Sequence, residues 1–360
     1  MTKYGNPPLL PLKKLDVSSY YRELESASYA LGMLQVAHKK ISNSDHLIKP
    51  LLTREAALSS KIEGTITDSK DVLVMDATGK APKQDTVVVA NYRRAMRDAI
   101  TLSKRKSITH SNIRSLHKTL LSNTLHKGTL GKYREVDAWI GEDDNTPIGK
   151  ALYVAPHHAQ VRPYMDNLLE YFNKAEESPL IKVAIFHYQF EAIHPFEDGN
   201  GRIGRMLIPA LLHYQKSISA PVLYTSEHFE KKSVEYRERL REVDRTRDIT
   251  PWIIFFLESI REQCNISINL VDRILSLNAQ LHEKYKTSQS PYMTQLIDFI
   301  FENPVFSIPE AIGKLGATRL TITTLVQQLG RDSILTQLDG IKAPHGAKVY
   351  FFPRLISLIA

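Results

Sequence analysis

Apolar positions along most of this chain recur every three or four residues, the period of a helix that buries one face. From Ser18 to Glu63 they fall at Leu24, Ala27, Leu31, Leu34, then Leu47, Leu51, Leu52 and Ala56. Within that run Thr53–Glu63 reads as one helix, with Thr53 as N-cap and Gly64 as stop. Residues 67–84, punctuated by Gly79 and Pro82, read as a loop, and the proline-rich residues 1–15 as an extended lead-in with little structure of its own. Further helices are predicted over 85–106, 109–122, 163–174, 179–193, 201–214, 227–245 and 251–285. Pro163 and Pro179 fall near first turns, where a missing N–H costs nothing. Two short β-prone runs, Trp139-Ile140 and Leu152-Tyr153-Val154, flank the polar stretch Gly141–Asn145 and predict a hairpin.

The last seventy or so residues have a different pattern. Helices over 292–302, 308–315 and 318–330 precede β-prone runs at Ile334–Leu338 and Val349–Phe352, the order of a winged helix-turn-helix. The expected fold is therefore mainly α, a helical core with a β-hairpin flap, plus a C-terminal winged helix-turn-helix domain. The expected segments are an N-terminal helical part (1–84), a core (85–286) and the winged-helix domain (287–360).

Composition adds limits. Cys264 is the single cysteine, so no intrachain disulfide forms and a reducing, cytoplasmic setting is expected. The first residues carry no apolar signal region, and the strongly apolar run near Trp252–Leu257 is too short to span a bilayer, so no membrane partner is expected. The formal net charge of +8 favours polyanions as partners without choosing among them.

The chemistry concentrates in His194-Pro195-Phe196-Glu197-Asp198-Gly199-Asn200-Gly201-Arg202 and the following Ile203-Gly204-Arg205. Glycines at the start of a helix let backbone N–H groups turn toward an anion, and the helix dipole adds positive potential there. Arg202 and Arg205 share one face of the first turn. Asp198 is a hard carboxylate suited to Mg²⁺ beside phosphates, and His194 can take a proton near neutral pH. A base, a magnesium carboxylate, a phosphate nest and two arginines describe transfer of a phosphorus-centred group. Zinc is not expected, since no second His or Cys stands at ligand spacing from His194.

The run His-Pro-Phe-x-x-Gly-Asn-Gly-Arg-x-x-Arg at 194–205 resembles, without departure, the signature of the Fic family of protein adenylyltransferases. The resemblance extends over roughly residues 10–285. It implies transfer of AMP from ATP to a Ser, Thr or Tyr hydroxyl, with pyrophosphate released. His194 would be the general base and Asp198 the Mg²⁺ ligand. Gly199, Asn200, Gly201, Ile203 and Gly204 would line the phosphates, Arg202 and Arg205 would meet the β- and γ-phosphates, and Tyr236 would lie near the adenine. The hairpin at 136–156 resembles the family's flap, on which a target protein adds a strand along Lys150–Val154; Tyr153 on that edge would also be a nucleotide-binding residue, and the family often has Phe and paired prolines there.

Ser59, Glu63 and Gly64 match the family's inhibitory motif, which implies that Glu63 pairs with Arg205 and displaces the γ-phosphate. In the C-terminal part, eight Lys and Arg face six Asp and Glu over residues 281–360, and the expected recognition helix carries Arg319 among Thr and Gln. Duplex DNA is one partner for it; protein contact or packing in a homodimer is the other. Two rival activities stay open: removal of AMP, or transfer from another nucleotide, by the same pocket, and a DNA-binding regulator whose core only senses nucleotide.

Overall fold

A computed structural model describes residues 4–12, 15–39, 45–125, 128–141, 146–218 and 223–359. The chain is mainly helical, 68% of it. In order come α1 (Tyr21–Lys39), α2 (Asp45–Ile62), α3 (Ser69–Thr78), α4 (Gln84–Ile100) and α5 (His110–Leu121). A hairpin of β1 (Trp139–Ile140) and β2 (Tyr153–Val154) follows, then α6 (His158–Lys174), α7 (Pro179–Ile193) and α8 (Asn200–Tyr214). Next are α9 (Ser226–Lys231), α10 (Ser233–Thr246), α11 (Thr250–Lys284) and α12 (Tyr292–Glu302). The chain closes with β3 (Val305–Ser307), α13 (Ile308–Leu315), α14 (Arg319–Arg331), β4 (Thr336–Ala343), β5 (Ala347–Phe351) and α15 (Pro353–Ile359). No described helix is long and apolar enough to cross a membrane.

Two compact units form, and each takes two stretches of chain: 1–35 with 94–265, and 36–93 with 266–360. The linear division at 84 and 286 does not describe them. Helices α1, α4 and α11 run through both, so composition along the chain offers no break at these crossings.

In the first unit α7 is the axis. Its sequence is apolar almost all round, and thirteen of its residues, including Phe186, His187 and Phe190, are buried. It packs between α6 and α8, and α10 lies on it as well. Trp252 of α11 donates its indole N–H to Ala184 O at 2.9 Å, so even the core indole is satisfied. Residues 4–12 of the N-terminal lead-in form no helix or strand, as expected, and are held instead by distant residues. Gly5 N–H donates to Val154 O (2.7 Å), Asn167 bonds both backbone groups of Leu10 (2.8 Å each), and Gln189 donates to Pro8 O (2.8 Å). A Cβ on Gly5 would lie 2.7 Å from that same carbonyl oxygen, so the close approach needs glycine.

In the second unit α2 packs on α12, α3 on β3, and α15 on both α2 and α3. The strand order is β3-β5-β4, all antiparallel, with Val305 opposite Phe351 and Thr336 also opposite Phe351. β3 is an addition to the sequence-based reading. Two other expectations fail here. Residues 67–84 hold α3, because Asp68 caps Asp71 N–H, Gly79 ends the helix at φ 71°, and Val72, Leu73, Val74 and Ala77 are buried. Thr53 is interior to α2, not its cap; its hydroxyl donates to Lys49 O at 2.7 Å and accepts from Arg93, whose guanidinium grips Asp76. The expected single helix over 227–245 is two, α9 and α10.

Candidate active site

The loop between α7 and α8 is shaped by hydrogen bonds that leave it little freedom. α7 ends at His194, whose φ of 51° and ψ of 61° lie in the left-handed region, and whose N–H still reaches Phe190 O at 3.0 Å. For a residue with a Cβ that conformation costs about 1 kcal/mol. Phe196 then turns into the core, fully buried, and stacks on the His117 ring with centroids 3.9 Å apart. The Asn200 amide closes the turn: it accepts from Phe196 N–H (2.8 Å) and donates to Phe196 O (2.9 Å). Both polar atoms of that side chain thus shape the loop, where the sequence reading had them lining a phosphate.

His117 pins the loop's centre. Gly131 N–H donates to its Nδ1 at 2.9 Å, which leaves Nε2 carrying the proton, 3.1 Å from Asp198 O. Asp198 Oδ1 in turn accepts from Gly199 N–H (2.5 Å) and from Arg202 Nη2 (2.7 Å). Gly199 sits at φ 80°, a left-handed conformation that favours glycine, with Leu120 3.2 Å from where a Cβ would stand. Arg134 fixes the loop's entry. Its guanidinium, 3% exposed, donates to His194 O (2.8 Å), and its backbone N–H donates to Pro195 O (2.9 Å). Sequence reasoning missed both His117 and Arg134, since neither belongs to the loop whose pattern drew attention.

α8 starts at Asn200, so its first N–H groups have no acceptor within the helix and point out of its positive end. Ile203 N–H already bonds Gly199 O at 3.0 Å, and the Ile203 side chain is fully buried, so the N–H groups left open at the helix start are those of Asn200, Gly201 and Arg202. Ile203 and Gly204 instead serve packing. A Cβ at Gly204 would meet the Glu191 carboxylate (2.1 Å) and the His187 ring (3.2 Å) of α7. Arg202 and Arg205 are 6% and 1% exposed. The Asp198 side chain, 46% exposed beside the helix start, is a hard oxygen donor where a phosphate-bound Mg²⁺ needs one carboxylate, so the donor set fits that ion.

His194, Asp198 and Gly199–Arg202 lie in one loop and helix start. Two other residues have different surroundings from those expected. Tyr236, 3% exposed, packs on Phe229 and bonds His187 Nε2 through its hydroxyl at 2.8 Å; it is a core residue. Burial of His187 pushes its pKa down to about 3, so the ring is neutral there. Tyr153 donates to Ala192 O at 2.6 Å and stands at the base of the flap. β2 covers only Tyr153 and Val154, Lys150 ends a short 3₁₀ turn, and the outward Val154 carbonyl holds Gly5; the hairpin centre, 142–145, lies outside the described residues. In the second unit Ser59 is fully buried in α2, while Glu63 is exposed just past its last turn, with Gly64 at φ 83°.

The sequence profile of the Fic/DOC family matches residues 107–212, and that of the Fic/DOC family N-terminal region matches 21–101. The chain is 30% identical over 156 residues to the protein adenylyltransferase Fic of Nematostella vectensis, covering 43% of this chain and 33% of that one. It is 27% identical over 134 residues to a probable protein adenylyltransferase of Aquifex aeolicus, covering 37% of this chain and 38% of that one. It spans, then, about a third of the length of these curated relatives. A solved Fic family protein from Desulfovibrio desulfuricans superposes with a TM-score of 0.61 at 22% identity, over 94% of this chain and 97% of that one. Fic-1 of C. elegans does so at 0.53 and 17%, over 72% and 74%. Two profiles of one family and the fold of its solved members lead to one conclusion: this chain belongs to the Fic/DOC family.

Proposed function

We propose that the chain is a protein adenylyltransferase that moves AMP from ATP to a Ser, Thr or Tyr hydroxyl. The observation that carries this reading is the pinned loop. His194 at the end of α7 is held by Arg134, and the N–H groups at the start of α8, from six residues further on, are held by Asn200 and His117. A base and an anion nest fixed in one frame suit in-line displacement at phosphorus, where catalysis is positioning and charge stabilisation.

In this reading the target hydroxyl loses its proton to the His194 imidazole as its oxygen bonds the α-phosphorus. The bond to the leaving pyrophosphate breaks on the opposite side. N–H groups of Asn200, Gly201 and Arg202 meet the leaving charge. The Arg202 guanidinium turns from Asp198 to phosphate when ATP enters. Asp198 would hold Mg²⁺, which supplies charge neutralisation between phosphate oxygens. The supporting test is transfer of label from ATP to protein, abolished in His194→Ala.

We read Ser59-Glu63-Gly64 as a brake on this activity, Glu63 competing with the γ-phosphate for Arg205. Glu63 is exposed just past the last turn of α2. Glu63→Gly should then raise self-modification; no increase would remove the brake from this account.

A further inference from the structure

We propose that Arg134 is the positioning residue that sets the target-binding flap and the base His194 in one frame; this rests on the adenylyltransferase reading. The guanidinium bonds four backbone carbonyls. Two belong to the end of α7: His194 O at 2.8 Å and Ile193 O at 3.3 Å. The other two stand at the two feet of the flap: Val136 O, ahead of β1, at 2.9 Å, and Pro156 O, after β2, at 2.6 Å.

The physical case has three parts. Carbonyls at a helix C-terminus lack intrahelical donors and carry the negative end of the dipole, so a buried cation there is strongly favoured. The planar guanidinium presents its donors in a rigid fork, which fixes the mutual placement of the groups it binds; an ammonium on a flexible stem cannot span all four. His194 occupies a left-handed conformation that a residue with a Cβ leaves unless its surroundings hold it.

The flap's own ladder is short, with Leu152 N–H on Ile140 O and Ala155 N–H on Ala138 O, so its feet decide where its edge lies. The nest at α8 depends on other residues, His117 and Asn200. Arg134 therefore governs how an attacking hydroxyl meets the base, while leaving nucleotide binding alone. Errors of about 1 Å in such placement cost about a hundredfold in rate.

The experiment compares full-length wild type with Arg134→Lys. It follows amide hydrogen exchange by residue, ATP affinity by equilibrium dialysis, and AMP transfer. Expected are exchange about tenfold faster at residues 136–140 and 152–156, ATP affinity within about twofold, and transfer down about a hundredfold. Unchanged flap exchange overturns the proposal, as does loss of ATP binding with uniformly faster exchange over α7 and α8. Should Arg134→Lys not fold, wild type decides. The Ala155 and His194 amides should then open with the same free energy, and openings that differ by about tenfold or more contradict the clamp. The exchange and binding results stand even if wild type transfers no AMP, which would count against the adenylyltransferase reading alone.

Discussion

Arg202 Nη2 lies 2.7 Å from Asp198 Oδ1, so the side chains given to phosphate and to Mg²⁺ hold each other at the mouth of α8. The pair keeps a nearly buried guanidinium compensated.

Asp198→Asn should therefore change how nucleotide binding depends on Mg²⁺. Wild type should bind ATP at least about tenfold more tightly with Mg²⁺ than without it, and in the variant that ratio should fall near one. Equilibrium dialysis with and without the ion reads this directly. A ratio that survives in Asp198→Asn would take the metal away from this residue.

The Asn200 amide holds the loop rather than the ligand. Asn200→Ala leaves the N–H and C=O of the buried Phe196 without those partners and should cost about 2 kcal/mol. Denaturant unfolding measures this, and a cost near zero would show that the turn stands without its staple.

His187 makes acid stability part of the account. Burial holds its native pKa near 3, below the unfolded value of about 6.5. Below pH 6.5 the unfolded chain therefore binds a proton that the native chain does not. This contribution is fully present above that value and is lost as pH falls toward 3. At pH 5 the loss from this residue is about 2 kcal/mol. His187→Gln should flatten the fall in unfolding free energy between pH 7 and 5; an equal slope in both proteins would contradict the assignment.

Tyr236 shares that buried contact. Tyr236→Phe should lower stability by about 1 kcal/mol through the lost bond to His187, with ATP affinity changed less than about twofold. A large loss of affinity would return Tyr236 to the adenine.

What the sequence made legible follows from how local its causes are. α7 was readable because its apolar run begins at Pro179 and stops at His194, and α5 because Thr109 caps it reciprocally with Asn112. The loop at 194–205 was readable because its candidate chemistry lies within a dozen residues. Residues 67–84 misled because Gly79 and Pro82 read as loop punctuation, when Gly79 is the stop of a short helix begun by Asp68. The lead-in at 4–10 is ordered by Asn167 and Gln189, far away in sequence, which no local pattern reveals. His117 and Arg134 were missed for the same reason: their partners are backbone atoms 81 and 60 residues away. The interleaved units, too, depend on tertiary packing alone.

The most direct test incubates wild type, Glu63→Gly and His194→Ala separately with ATP labelled at the α-phosphorus and with ATP labelled at the γ-phosphorus. The account predicts that protein takes up the α label and not the γ label, most in Glu63→Gly and not at all in His194→Ala. Uptake of the γ label, or α-label transfer that persists without His194, would contradict it.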